Sequence, residues 1–306
     1  MKYTIYKFNF QTGVHFGTGR LNETSYVFHA DQLFSALYIE AIKMHKEDVF
    51  YQSVQDGKII FSDAMPYIGK TYLIPKPMLY IQTDQMGSSK QKKDYKKMKY
   101  LPVDKLDLFL QGKMDVSHDP MKDFGNYDQR TMAEVRNDED TKPYRVGTFY
   151  YQSGCGLYII VGYEDEEILR CVENLIESLS YTGIGGKKSS GLGKFELIKG
   201  RMSEEIENRL LKTSDTYILL SSALPQDDEL EEAMEDAKYL LEKRAGFVAP
   251  AVGQNTSLEA EWQKKKDLYV FSAGSCFKKR FTGNVYDVSK GGYPVYRYAR
   301  AMFLGV

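Results

Sequence analysis

The chain lacks net charge: 41 Lys and Arg stand against 42 Asp and Glu, a formal charge of −1 over 306 residues. Proteins that coat nucleic acid without regard to sequence carry a global basic excess. Any anion binding here must therefore come from local patches or from a surface shared with partners. Cysteine is scarce as well. Cys155, Cys171 and Cys276 are an odd number without metal-type spacing, which argues against a disulfide framework and fits a reducing compartment. No apolar run is long enough to span a bilayer, and the alternating MKYTIYKFNF at the start reads as a strand, not a signal peptide. The expectation is a soluble, cytoplasmic protein with no membrane association. Tryptophan occurs once, whereas tyrosine occurs 24 times. Tyrosine suits strands and also stacks on planar ligands, so its excess decides nothing alone.

What is present is enough for two domains with proper cores. Tyr6, Phe8 and Phe10 alternate with Lys7, Asn9 and Gln11, the pattern of a half-buried strand. A helix begins near Asp31 with Leu33, Phe34, Leu37, Ala41 and Met44 on one face. Short strands follow around KIIFSDAMP and YLIPKP. Residues 83–142 are polar, lysine-rich in SKQKKDYKKMKY, and read as an insertion. VGTFYYQSGCGLYIIVGY reads as a two-stranded hairpin. A helix over about 164–180 carries the stripe Ile168, Leu169, Val172, Leu175, Ile176 and Leu179, and KFELIKG reads as a last strand. Strand, helix, two strands, helix, strand is the split βαβ order of the ferredoxin-like fold. A second such start appears at DTYILLSSALP, followed by an expected helix through QDDELEEAMEDAKYLLEKRAGF. There Leu230, Ala233, Met234, Ala237 and Leu241 would face inward and Gly246 would end it. The expected architecture is α+β: two tandem ferredoxin-like domains, 1–200 with the insertion and 214–306, the second degenerate.

The stretch YTGIGGKKSSGLGKF gathers Gly183, Gly185, Gly186, Gly191 and Gly193 around Lys187, Lys188 and Lys194. It is not a Walker A loop: Tyr181 stands where the first glycine belongs, and Lys188 where Ser or Thr must follow the lysine. The dinucleotide fingerprint fails at Lys188 too. Both motifs follow a strand and open a helix, whereas this loop follows a helix and enters a strand. What remains is an amide-rich turn with three ammonium groups and the hydroxyls of Ser189 and Ser190, the chemistry of an anion-binding concavity.

A glycine-rich loop after the second helix of a ferredoxin-like domain marks the RAMP (repeat-associated mysterious protein) superfamily of CRISPR systems, and TGIGGKKSSGLGKF resembles that signature closely. With VHFGTG, HADQLFSAL, FSDAMPYIGKTYLIPKP and the ending GGYPVYRYARAMFLGV, the chain resembles the subunit family of type III-A (Csm) effector complexes that holds the 5′ handle of the CRISPR RNA. The resemblance implies a non-catalytic RNA-binding subunit without cofactor or metal. Its implied partners are the crRNA handle, the large signalling (polymerase/HD-type) subunit and the backbone RAMP subunit. It also implies a projecting thumb within part of the insertion.

The candidate RNA contacts are His15, Gly17, Thr18, Arg20 and His29, and in the loop Gly183, Gly185, Gly186, Lys187, Lys188, Ser189, Ser190, Gly191 and Lys194. Arg130, Arg136 and Arg145 add basic character near the end of the insertion, and Lys278 and Lys279 in CFKKRF form either a stacking and phosphate platform or a charged strand edge. His15 and His29 could also act as general acid and base of a metal-independent endoribonuclease, the rival reading. Asp31 reads as an N-cap or first-turn acid and Asp63 as a turn former; neither is assigned to a metal.

Overall fold

A computed structural model describes residues 1–81, 89–117, 119–136, 139–248 and 263–306. Strand β1 (Lys2–Phe10) leads through a small ladder, β2 (Phe16–Gly17) with β3 (Thr24–Ser25), into α1 (Ala30–Lys43) and α2 (Glu47–Gln55). Next come β4 (Ile59–Phe61), β5 (Met65–Ile68), β6 (Thr71–Pro75), α3 (Ser89–Lys97), β7 (Tyr100–Pro102) and α4 (Leu106–Leu110). A long hairpin of β8 (Gly125–Arg136) and β9 (Glu139–Tyr151) precedes β10 (Cys155–Tyr163), α5 (Glu166–Thr182) and β11 (Phe195–Gly200). The main sheet runs β11-β1-β10-β5-β6-β7, with β4 on the other end of β10. Fourth strand, first, third, second: this is the antiparallel ferredoxin-like arrangement the element order implies.

The sheet is covered on both faces, so every residue of β10 is buried. Tyr6 and Phe8 of β1 meet the stripes of α1 and α5 in one cluster, while Ile5 points the other way and packs with Tyr158, Ile160, Leu101, Leu106 and Phe109 in a second. Part of the expected insertion is therefore core: β7 pairs with β6, and Val103 and Phe109 are buried. The expected hairpin around Gln152 is also corrected. β9 pairs with β8 and not with β10, because the other edge of β9 is held by the 12–21 segment, through Val14 to Phe149 and Gly147 to Leu21.

The C-terminal half holds α6 (Glu204–Leu211), β12 (Tyr217–Leu219), α7 (Leu230–Ala233), β13 (Leu241–Arg244), β14 (Leu268–Phe271), β15 (Cys276–Phe277), β16 (Gly283–Asp287), β17 (Tyr296–Arg300) and β18 (Phe303–Gly305). They form a three-stranded sheet, β15-β12-β18, and two ribbons, β13-β14 and β16-β17. This is a reduced ferredoxin-like unit. The long helix expected over residues 226–247 is absent. α7 makes one turn, Asp236 takes a left-handed φ of 51°, and Leu241 begins a strand paired with β14. Leu241, expected inward, is 57% exposed, whereas Ala233 is buried. Alternation wins because Glu242 and Arg244 are needed on the inward face of β13. Gly246 ends no helix. No helix among the described residues is long and apolar enough to cross a membrane.

The two halves interlock. Tyr298 of β17 is buried in the first cluster and its hydroxyl accepts from Phe61 N at 2.8 Å. At the seam, Asp31 is 4% exposed. Its carboxylate takes Arg244 on Oδ1 at 2.8 Å and Arg297 on Oδ2 at 2.6 Å. Asp31 is thus a first-turn residue of α1 whose side chain serves the C-terminal half; the N-cap is His29, whose amide donates to the Gln32 side chain at 2.9 Å. Asp63 does more than form a turn. It accepts from Ala30 N, Ser222 N, Ser222 Oγ and His29 Nδ1, all within 2.9 Å. Burial opposes both charges, but Arg244 and Arg297 hold Asp31 below the usual carboxylate range, and His29 with the two amides does the same for Asp63.

Two consequences are measurable. Replacing Asp31 with Asn leaves the buried Arg297 guanidinium facing no carboxylate and Arg244 with Glu242 alone, and breaking such a buried pair costs roughly 3–5 kcal/mol. The urea midpoint should fall accordingly, with the slope of the transition unchanged. The second concerns pH. Burial disfavours the His29 imidazolium, yet Asp63 outweighs it and raises the pKa above the ordinary 6.5. A raised folded-state pKa gives stability that is complete below about 6.5 and lost as pH rises through the folded value. Thermal unfolding between pH 5.5 and 8.5 should show that loss, and His29→Gln should flatten it.

Candidate nucleic-acid interface

The glycine loop leaves the C-terminus of α5 from a fixed base. Glu40 of α1 is 1% exposed and accepts from Ser178 Oγ (2.8 Å), Thr182 Oγ1 (3.1 Å) and Lys43 Nζ (2.7 Å). From there the loop is stitched to the segment after β1. Gly186 N donates to His15 O at 2.8 Å, Gly193 N to Gly13 O at 2.9 Å, and Lys194 N to Thr12 Oγ1 at 3.1 Å. Within the loop Ile184 N donates to Gly193 O at 3.0 Å. Gly193 has φ +80°, and a Cβ there would lie 2.1 Å from Ile184 O; a Cβ on Gly185, at φ +99°, would lie 2.7 Å from His15 O. These two glycines are required by backbone approaching backbone. Much of the glycine density thus serves the chain's own packing.

The middle of the loop is what faces outward. Lys187 is left-handed (φ 58°), Lys188–Ser190 form a single 3-10 turn, and Ser189 and Ser190 are exposed. Among the described residues, the amides of Lys187, Lys188 and Ser189 reach no backbone acceptor. Burial pulls the Lys188 ammonium below its usual pKa, and neighbouring Lys43 adds to the shift while Glu40 opposes it. Lys187 Nζ lies 4.7 Å over the Tyr144 ring and 3.3 Å from its hydroxyl. Lys194 is exposed.

His15 is the hub. It is 6% exposed, its Nδ1 donates to Gly147 O at 2.7 Å, and its ring lies against Gly186 and Gly17. One side chain so joins the glycine loop, the hairpin strand β9 and the exposed Gly17–Arg20 turn. In that turn Arg20 and Thr18 each approach Glu23 at 3.4 Å, contacts weakened by water. The sequence candidates His15, Gly17, Thr18, Arg20 and 183–194 therefore converge. His29 does not join them: its Nδ1 is held by Asp63 and Ser222, and its Nε2 lies 3.5 Å from Glu242. An acid–base pair of His15 and His29 is not assembled, since each ring is committed to its own neighbours.

The hairpin beside the loop divides its arginines. Arg130 pairs with Val146 and faces the glycine loop; Arg145 pairs with Thr131 on the opposite face. The side chain of Arg136 lies outside the described residues. Lys278 and Lys279 follow β15 directly and pair with Asp236 and with Glu232 (3.4 Å). Phe277 and Phe281 beside them are buried, so no exposed aromatic platform forms there. In the lysine block, Lys93, Lys96, Lys97 and Lys99 are exposed, and the side chains of Lys90 and Lys92 lie outside the described residues. No His, Cys, Asp and Glu cluster fit for a metal exists among the described residues. Sequence reasoning missed Glu40, Lys43 and Thr12. Glu40 and Thr12 meet partners more than 100 residues away in the chain, and Lys43 acts through Glu40 and on the distant Lys188.

Known proteins are similar to this chain in sequence and in fold. Residues 212–306 match the family model of the CRISPR Csm4 C-terminal domain. The Streptococcus thermophilus protein described as CRISPR system Cms protein Csm4 is 36% identical, over 99% of this chain and 98% of its own. A Mycobacterium tuberculosis protein of the same description is 36% identical, over 100% and 98%. The fold is shared with the crystal structure of a Csm3-Csm4 subcomplex of the type III-A CRISPR-Cas interference complex (TM-score 0.66, 18% identity, 99% of both chains). It is also shared with that of a Csm1-Csm4 cassette in complex with AMPPNP (TM-score 0.60, 18% identity, 100% and 98%). A near-complete match at 36% identity leaves one assignment: the chain belongs to the Csm4 family of CRISPR proteins.

Proposed function

We propose that the chain is a non-catalytic, cytoplasmic subunit of a type III-A CRISPR effector complex that grips the 5′ handle of the crRNA. One observation carries the reading. An amide-rich turn with Lys187 and Lys188, the Gly17–Arg20 turn and the β8–β9 hairpin all converge on His15. Single-stranded RNA is held by phosphate contacts and by stacking of splayed bases, and this surface offers amides, ammonium groups and the Tyr144 ring together. The β8–β9 hairpin fits the thumb, which then extends past residue 142. The related structures pair a Csm4 protein with Csm3 and with Csm1, so the partners are a backbone subunit of the Csm3 kind and a large subunit of the Csm1 kind. Units over 1–200 and 214–306 would each meet one of them. The separate commitments of His15 and His29 favour holding RNA over cutting it.

Two measurements test this. Changing Lys187, Lys188 and Lys194 to Ala should weaken binding of handle RNA and lower the slope of log K against log salt by roughly 0.7 for each phosphate no longer neutralised. Anisotropy titrations at low and near-physiological salt read both; unchanged affinity would sink the phosphate role. Affinity purification of the chain from cells with the full CRISPR operon should recover both partner subunits and small RNAs sharing one repeat-derived 5′ end. Metal-free cleavage of repeat RNA by the pure chain, abolished in His15→Ala, would favour the nuclease instead.

A further inference from the structure

A cavity of about 330 Å³ lies between the hairpin and the glycine loop, lined by Arg130, Thr131, Met132, Val146, Ser190 and Leu192. Pockets that enclose small ligands start at roughly this size, about 300–1,000 Å³. Its chemistry is divided. Val146 is 0% and Leu192 3% exposed, so the floor is apolar and anchored in packed structure. The rim carries a guanidinium and a hydroxyl. Arg130 lies 5.4 Å from the centroid of the Tyr150 ring, within cation–π reach, and its guanidinium carries a fork of N–H donors. At the mouth, next to Ser190, stand the amides of Lys187, Lys188 and Ser189 that reach no backbone acceptor among the described residues. A phosphate has no use for the floor, and an aliphatic side chain has no use for the rim. A planar, heteroatom-edged ring attached to a phosphate uses both.

We propose that this cavity takes one unstacked nucleobase of the bound RNA, and that the base is guanine. The fork of Arg130 makes the choice. A guanidinium matches two adjacent acceptors, and guanine presents O6 and N7 on one edge. The base enters edge-on to Arg130, its ring rests on Val146 and Leu192, and its phosphate meets the turn at Lys187–Ser189. Tyr144, opposite Met132 in the hairpin register, accepts from Lys187 at 3.3 Å. The proposal rests on the RNA-binding reading above and adds a base preference to the phosphate contacts.

The test uses the full chain and uridine octamers in which a single guanosine is walked through the eight positions. At one position guanosine should bind about tenfold tighter than uridine, the order that one bidentate contact supplies. Replacing that guanosine by 7-deazaguanosine, which lacks N7, should remove most of the gain. Arg130→Ala should remove it while leaving the salt slope unchanged; Ser190→Trp, which plugs the mouth, should remove it too. Lys187→Ala and Lys188→Ala should weaken all octamers alike and keep the preference. Equal affinity at all eight positions, or a preference that survives Arg130→Ala, overturns the guanine pocket while leaving phosphate binding intact. Failure to bind any octamer overturns both readings.

Discussion

Backbone laid against backbone is the constraint on which this molecule's working surface depends. The loop after α5 and the segment after β1 touch through amides and carbonyls, with no Cβ admitted at Gly185 or Gly193. That contact sets where Lys187 and Lys188 stand, and it brings His15 into reach of Gly147 on the hairpin. The loop is thus not a free flap. Its two ends are fixed, and its middle turn keeps the amides of Lys187, Lys188 and Ser189 without a backbone acceptor among the described residues, the pre-organised state that lowers the ordering cost of binding.

The sheet behind it explains why the contact falls there. In the antiparallel order the last strand lies beside the first, so the turn entering β11 and the turn leaving β1 share one end of the sheet. The interlocked halves reinforce it. α1 is pinned at its N-terminus by Arg244 and Arg297 and at its C-terminus by the hydroxyls of α5 around Glu40. The ionic pins are buried among polar partners, a situation in which losing one member is costly even where the whole set adds little net stability.

How much of this was legible depended on range. β1, α1 and α5 announced themselves by periodicity, and the order of elements named the fold. The loop could be singled out as a candidate for anion binding because its residue types are local. The 226–247 segment misled, since Leu230, Ala233, Met234 and Leu241 keep helical spacing while tertiary demand for Glu242 and Arg244 on one face imposes a strand. Asp31 and His29 stand at the helix start as expected, but nothing nearby in the chain betrays the arginines 213 and 266 positions on. The β9 edge was unreadable because its partner is a loop, not a strand.

Helix α1 reaches further than its own neighbourhood. It spans 14 residues, about 21 Å at 1.5 Å per residue. One tip is clamped by charges from the C-terminal half, and the other sits beneath the stem of the glycine turn. A stiff strut held at both tips cannot tilt at one without tilting at the other. Displacing the end held by Arg244 and Arg297 would therefore carry the Glu40 end, and with it the stem of the glycine turn, along.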